Sequence, residues 1–295
     1  MAVADRVRRL AVLLGLLWAA SAAAVTIDDG DYAYLPDGSK FGVVYVQHFE
    51  GRGLYAKGQQ VASNARLSAD VVMLRGVWFL DWGNDYGVVP QFLQPMGTVR
   101  TGGALAGADA TNGMGDLVLV CPLHLIKDPT GRDAFALTPW LWLPTGHYDR
   151  SNALNPFAEN RWKFAAQAGR IWKVSEAVSF ELLGDVTVYG KNDDFGPAGA
   201  TLRQHPLREL QAHTRYFLTP GTFVGGMVAH VWGGETQVNG IHLDDRQSLT
   251  KVLFTLAGFV TPDVQLMLSV GRDVAIRTGV REDSRVNFRF LRVFK

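Results

Sequence analysis

In the stretch SFELLGDVTVYG, Ser179 to Gly190, Glu181 and Asp185 fall at one parity with Ser179 and Thr187, while Phe180, Leu182, Val186 and Val188 fall at the other. Side chains alternate across a strand, so the two carboxylates share one face and the apolar groups the opposite one. Neighbouring segments carry complementary chemistry at their own polar parity: Arg161, Lys163 and Gln167 before it, Glu209, Gln211, His213 and Arg215 after it, and Arg285 and Arg289 near the C-terminus. Opposite charges on adjacent strands lie roughly 5 Å apart, close enough for ladders that pin the register and line a polar wall. A satisfied polar filling with no ligand uses the same residues equally well.

Other chemistries lack their constellations. The seven histidines, His48, His124, His147, His205, His213, His230 and His242, are scattered, with no H-E-x-x-H and no paired C-x-x-C, so neither a metal site nor a cofactor is expected. Nucleophilic catalysis needs a base within hydrogen-bond reach of a nucleophile and a third group to orient it. His213 and Thr214 are consecutive and point to opposite faces, no H-x-S-N-G-type signature exists, and no catalytic residue is assigned. Asp116 in GMGD reads as a turn-stabilising carboxylate more readily than as a cation ligand. Asp31, Asp37, Asp149, Asp193, Asp194, Asp244 and Asp245 in loops are solvated acids or, at an outer surface, ligands for the divalent ions that lipopolysaccharide recruits.

These faces require strands to position them. Apolar-alternating runs fall at 41–49, 66–80, 86–94, 114–126, 133–143, 160–173, 177–190, 204–218, 222–233, 247–260, 263–275 and 284–294, which gives about twelve strands, an even number as bacterial outer-membrane barrels require. Their joins alternate. Stretches around 51–65, 95–113, 144–160, 191–203 and 233–245 are long and polar, whereas SE, LTPGT and TPD are minimal, the pattern of long outer loops and short periplasmic turns. Hydrocarbon cannot satisfy an open sheet edge, so the first and last strands must pair. Trp140, Trp142, Trp162, Trp172, Tyr189, Trp232 and Phe294 lie near strand ends, where interfacial girdles are expected. Arg170 breaks the lipid-facing parity of its strand, by snorkelling or through a bulge.

Arg6, Arg8 and Arg9, the apolar run from Leu10 to Ala20 and the A-x-A signal at Ala22 and Ala24 describe a secretory leader over 1–24, with Val25 as the expected first mature residue. No later stretch reaches the ~18 uncharged apolar residues of a membrane helix. The single cysteine, Cys121, leaves no intramolecular disulfide in an exported chain. With 29 Lys and Arg against 28 Asp and Glu and no basic stripe, nucleic acid is not a partner.

The segments YLPDG (34–38), YVQH (45–48), PQFLQP (90–95), GMGD (113–116), PWLWLPTGHYD (139–149), ENRWKF (159–164), GDVTVYGKNDD (184–194), HVWGGETQVNG (230–240) and EDSRVNFRFLRVF (282–294) resemble, in order, the outer-membrane transporters named for the MetA pathway of phenol degradation. The resemblance covers nearly the whole mature chain. It implies an outer-membrane barrel for uptake of aromatic or other hydrophobic compounds, and fixes architecture better than cargo.

The expectation is an all-β protein: a transmembrane, antiparallel, up-and-down β-barrel of about twelve strands, one domain over 25–295 with 25–40 as a periplasmic or luminal segment. A barrel of about eight strands is filled by side chains and one of 16 to 18 is an open channel, so this lumen should be narrow. Lys163, Gln167, Glu181, Asp185, Glu209, Gln211, His213, Arg215, Arg285 and Arg289 are its candidate pore-lining groups. The expected partners are outer-membrane lipid and lipopolysaccharide, a small-molecule solute and the barrel-assembly machinery. A non-transporting structural or adhesion barrel is the alternative, and a lipid-modifying hydrolase a weaker one.

Overall fold

The computed structural model of the chain describes residues 26–83, 85–128 and 130–294. The expected leader and its cleavage site lie outside the described residues. Each alternating run becomes a strand: β1 (Lys40–Ala56), β2 (Gln59–Trp78, resumed as Leu80–Trp82), β3 (Tyr86–Val88, resumed as Gln91–Gly102), β4 (Leu117–Val120, resumed as Leu123–Lys127), β5 (Ala134–Leu143), β6 (Lys163–Lys173), β7 (Val178–Tyr189), β8 (Leu207–Thr219), β9 (Thr222–Gly233), β10 (Gln247–Thr261), β11 (Val264–Ile276) and β12 (Gly279–Phe294). The interruptions in β3 and β4 fall at Pro90 and Pro122, which have no N–H to give to a ladder. Each strand pairs antiparallel with the next, and β12 pairs with β1 from Lys40↔Phe294 to Tyr55↔Gly279. The result is a closed twelve-stranded barrel, in which every wall strand has a partner on both sides.

Parity decides which face is inside. On β7, Asp185 is 5% exposed and Val186 41%. Ser179, Glu181 and Thr187 are buried with Asp185, while Leu182 and Val188 are exposed with Val186. The same inversion of a soluble sheet recurs around the wall, where Val44, Val46, Phe254, Leu256, Leu268, Val270, Phe288 and Phe290 all face outward. Such a belt is stable against lipid and not against water. β6 and β7 pair without a shift, so Arg170 keeps its outward parity. It reaches Asp133 in an ion pair and lies 5.6 Å over the Trp172 ring, so it snorkels and no bulge is involved.

At one end of the barrel the joins 83–85, 128–133, 174–177, 220–221 and 262–263 are short, and the chain enters β1 and leaves β12 there. At the other end lie the long joins 103–116, 144–162, 190–206 and 234–246. One expected long loop is different. β1 and β2 stay paired as far as Ala56↔Gln59 and reverse through Lys57 and Gly58, whose φ values are 54° and 82°. Beyond the bilayer, polar residues such as Gln59, Gln60 and Asn64 can occupy either face, so the apolar alternation stops while the hydrogen-bonded ladder continues. Two further polar joins also gain structure. Asn192–Phe195, Ala200–Gln204, Thr236–Val238 and Ile241–His242 form a small four-stranded sheet beyond the barrel.

With long joins outside, cysteines placed at Lys57, Ala106, Ser151, Gly199 or Asn239 should react with an impermeant thiol reagent on intact cells. A cysteine at Gly221 or Asp263 should stay unlabelled until the membrane is opened. The reverse pattern would invert the topology.

Candidate functional site

The interior is crossed by a strap, residues 26–39, that precedes β1 and runs inside the wall. It has no regular secondary structure, so its backbone and side-chain polar groups need other partners, some within the strap, as Asp31 N–H to Asp28 and Ala33 N–H to Gly30, and others on the barrel. The Thr26 hydroxyl donates to Glu209 at 2.9 Å and accepts from Lys251 at 2.8 Å. The backbone N–H of Ile27 donates to Gln211 at 3.2 Å and that of Gly30 to Glu181 at 3.1 Å. Tyr32 places its hydroxyl 2.8 Å from Thr138 and 2.9 Å from Gln167.

Three acids of the strap each meet a basic side chain of the wall. Asp28 accepts from Arg289 at 2.9 Å, Asp29 lies 2.6 Å from His213, and Asp31 accepts from Arg75 at 2.8 Å. Arg75 is itself held by Gln91 at 2.6 and 2.9 Å and by the Tyr45 hydroxyl at 3.0 Å, and Arg289 by Gln265 at 2.7 Å. Apolar strap groups seat at the same time. Ile27 and Tyr32 pack with Val118, Val120, Ala136 and Leu183, and Tyr34 with Val77, Phe79 and Val89. Removing either partner of a buried charge pair leaves the other uncompensated, so the acid–cation contacts act as latches.

The wall is shaped for the strap. A Cβ on Gly169 would come 2.5 Å from the Tyr32 ring, and one on Gly225 would come 2.4 Å from an Asp29 oxygen. Gly169→Val should therefore unseat Tyr32. On overpacking precedent it should cost about 1–3 kcal/mol, read as a lower unfolding temperature and as new protease sensitivity of residues 26–39. Unchanged protection of that segment would count against the close fit.

The expected pore-lining residues divide by this geometry. Gln167, Glu181, Glu209, Gln211, His213 and Arg289 contact the strap directly. Arg215 lies 2.6 Å from Glu181 and backs Gly30, while Asp185 accepts from Gln167 at 3.3 Å. Lys163 and Arg285 face the chamber described below, paired with Glu159 at 2.5 Å and Glu282 at 2.7 Å. Cross-strand ladders of opposite charge are thus the minor theme. Glu181–Arg215 is one, but Asp185 stands opposite Glu209.

Beyond the strap, towards the long loops, lies a chamber of about 380 Å³. β2–β5 give it an apolar side with Met73, Leu93, Val118 and the stacked pair Trp140 and Trp142, whose ring centres are 6.0 Å apart. Lys251, Asp273, Glu282 and Arg285 give it a charged side from β10–β12, and Thr26, Ile27, Asp28 and Asp31 of the strap form its floor. Trp140 and Trp142 are therefore inside and not in the girdle expected of them, because they share the inward parity of β5; Tyr189 likewise faces in, with Arg161 stacked 4.5 Å from its ring centre. Trp162, Trp172 and Phe294 do face outward.

The remaining acids serve the loops. Asp116 accepts from the backbone of Gly146 and Glu159 at 3.0 and 3.1 Å, the loop-gripping role. Asp193, Asp194 and Asp244 pair with Lys191, Arg150 and Lys57, Asp245 caps Thr236, and no metal-holding group occurs among the described residues. Burial presses the Glu159 carboxyl upward, but Lys163 and Arg161 outweigh it and bring it down to about 2. A depressed carboxylate stabilises above its ordinary range and loses that contribution as pH falls through its folded value. The 144–162 loop should resist pepsin at pH 3.5 and be cut in Glu159→Gln at the same pH; equal cutting would remove Glu159 from its anchor.

Comparison with known proteins places this geometry. Residues 51–290 match the protein family described as MetA-pathway of phenol degradation. The chain is similar to the crystal structure of the COG4313 outer membrane channel from Pseudomonas putida F1, with 38% identity, a TM-score of 0.88, and coverage of 91% of this chain and 100% of that one. The β domain of the Bordetella autotransporter BrkA, at 10% identity and a TM-score of 0.53 over 88% of this chain and 100% of that one, shares the fold alone. No curated protein matches the sequence.

Proposed function

Since the chain belongs to the MetA-pathway of phenol degradation family, we propose that it is an outer-membrane channel that admits small aromatic or other hydrophobic solutes through the chamber, with the strap as its gate. The observation that carries this reading is the chamber itself: a space of about 380 Å³ with stacked tryptophans on one side, enclosed by a barrel and floored by the strap. A mostly apolar concavity with a few placed polar groups suits a small aromatic body bearing a polar substituent. Passage then requires the strap to yield, because it occupies the lumen on the periplasmic side. Delivery by a cleaved leader over 1–24 and insertion by the barrel-assembly machinery belong to the same reading.

Liposome swelling tests it. Proteoliposomes should swell faster with small aromatic solutes than with sugars of similar mass, and an ester substrate should not be turned over. Equal rates for both solute classes, or esterase activity, would refute the proposal.

A further inference from the structure

On the outside of the barrel, at the rim near the long loops, lies an open groove of about 670 Å³. Its base is Leu210, and its sides include His230, Trp232, Ser248, Arg246 and Arg277. The register places these groups in rows: Arg208 opposite Trp232 and Trp232 opposite Ser248, then Leu210 opposite His230 one step deeper. Arg277 joins the upper row, since its N–H donates to the Ser248 carbonyl at 2.8 Å. Arg208 and Leu210 are exposed at the outward parity of β8, so the groove faces the membrane and not the lumen.

Its cations have no carboxylate within ion-pair distance among the described residues. In the lumen, by contrast, Arg75, Arg161, Arg285 and Arg289 are each ion-paired. Arg208, Arg246 and Arg277 have no ion pair among the described residues, and Arg277 Nε is buried without an acceptor. The nearby acids are engaged. Asp244, whose carboxyl feels Arg277, is ion-paired with Lys57, and Asp245 accepts from Thr236 at 2.7 and 2.6 Å. Below the arginines the outward surface is apolar, with Leu210, Val228 and Phe254 exposed. His230 and Trp232 stack at 5.7 Å, placing an amphipathic ring at headgroup height.

Guanidinium groups above an apolar wall complement a phosphate carried on acyl chains. We propose that this groove binds a phosphate of lipid A, the phosphorylated glycolipid of the outer leaflet, with Arg246 and Arg277 on the phosphate, Arg208 beside it, and an acyl chain over Leu210. This rests on the outer-membrane reading and its topology, and is independent of what the lumen carries.

Native mass spectrometry of the detergent-purified protein tests it, with phosphorylated lipid A, dephosphorylated lipid A and inorganic phosphate as probes. The phosphorylated lipid should give a one-to-one adduct. The Arg246→Ala/Arg277→Ala variant should weaken it about ten- to a hundredfold, as loss of charge-assisted contacts does, while Arg246→Lys/Arg277→Lys retains most of it. Equal binding of dephosphorylated lipid A, equal binding by the alanine variant, or displacement of the lipid by equimolar inorganic phosphate would overturn the proposal. Heat-modifiability checks that the variants are folded, and the single variant Arg246→Gln, at an exposed side chain, carries the same test if the double variant is not. Failure of the wild type to pass aromatic solutes would count against the channel reading and leave the groove untouched.

Discussion

Val186→Arg is expected to prevent assembly of most of the chain, while Asp185→Asn, one residue away, leaves a folded barrel. Val186 is outward and exposed on β7, within an apolar belt that includes Leu182 and Val188. A cation there must be stripped of water or must distort the bilayer, at a cost of about 2–4 kcal/mol near mid-membrane. That is a large share of the ~5–15 kcal/mol that separates folded from unfolded proteins. Asp185 points inward, accepts one long bond from Gln167 and faces Glu209, so an amide in its place can keep the bond and relieves the contact between two carboxyls. The folded fraction, read as the mobility change between unheated and boiled samples, separates the two. Normal folding of Val186→Arg alongside collapse of Asp185→Asn would reverse the parity of the whole wall.

Arg289→Ala is expected to release the strap. Arg289 is a wall cation for Asp28, at 2.9 Å, and also lies 3.6 Å from Asp31. Breaking a buried pair from one side costs about 3–5 kcal/mol, because the remaining charge is left without a partner. The closed barrel keeps its own ladders, so the cheapest relief is departure of the strap. Single-channel current should rise, and a cysteine at Tyr32, shielded in the parent protein, should become reactive from the periplasmic side. Arg289→Lys should preserve both the low current and the protection. If Arg289→Ala leaves current and labelling unchanged, the latch holds nothing.

Much of this architecture is legible in the chain because a membrane wall imposes a strict rule. Each residue of β7, β11 or β12 must face lipid or lumen, so Val186 and Asp185, or Phe288 and Arg289, declare their sides by type alone. The rule lapses where water returns. Gln59 and Gln60 prolong β2 with no apolar alternation, and Trp140 and Trp142 sit at inward positions although tryptophan is equally at home in a girdle. The strap is the least legible element. DDGDYAY, residues 28–34, has no period of its own, and its acids become meaningful only once Arg75, His213 and Arg289 are known to face the same lumen. A signal lies in that excess of acids ahead of β1, matched by Arg75 and Arg289 at inward positions that face no carboxylate across the sheet. Arg75, Gln91, Tyr45 and Lys251 carry no mark of their own in the sequence, because each becomes a site residue only through contacts far away in the chain, such as Lys251 with Thr26.

The gate is tested most directly by tying the strap to the wall and measuring solute flux. A Cβ on Gly225 lies 3.0 Å from Asp29 Cγ, so Asp29→Cys with Gly225→Cys, in a Cys121→Ser background, brings two thiols within the reach of a disulfide. Swelling of proteoliposomes in a small aromatic solute should be slow with the oxidised protein and recover fully on reduction, with each single-cysteine variant indifferent to oxidant. Equal swelling rates in the oxidised and reduced states would show that solutes pass without the strap moving, and would contradict the account.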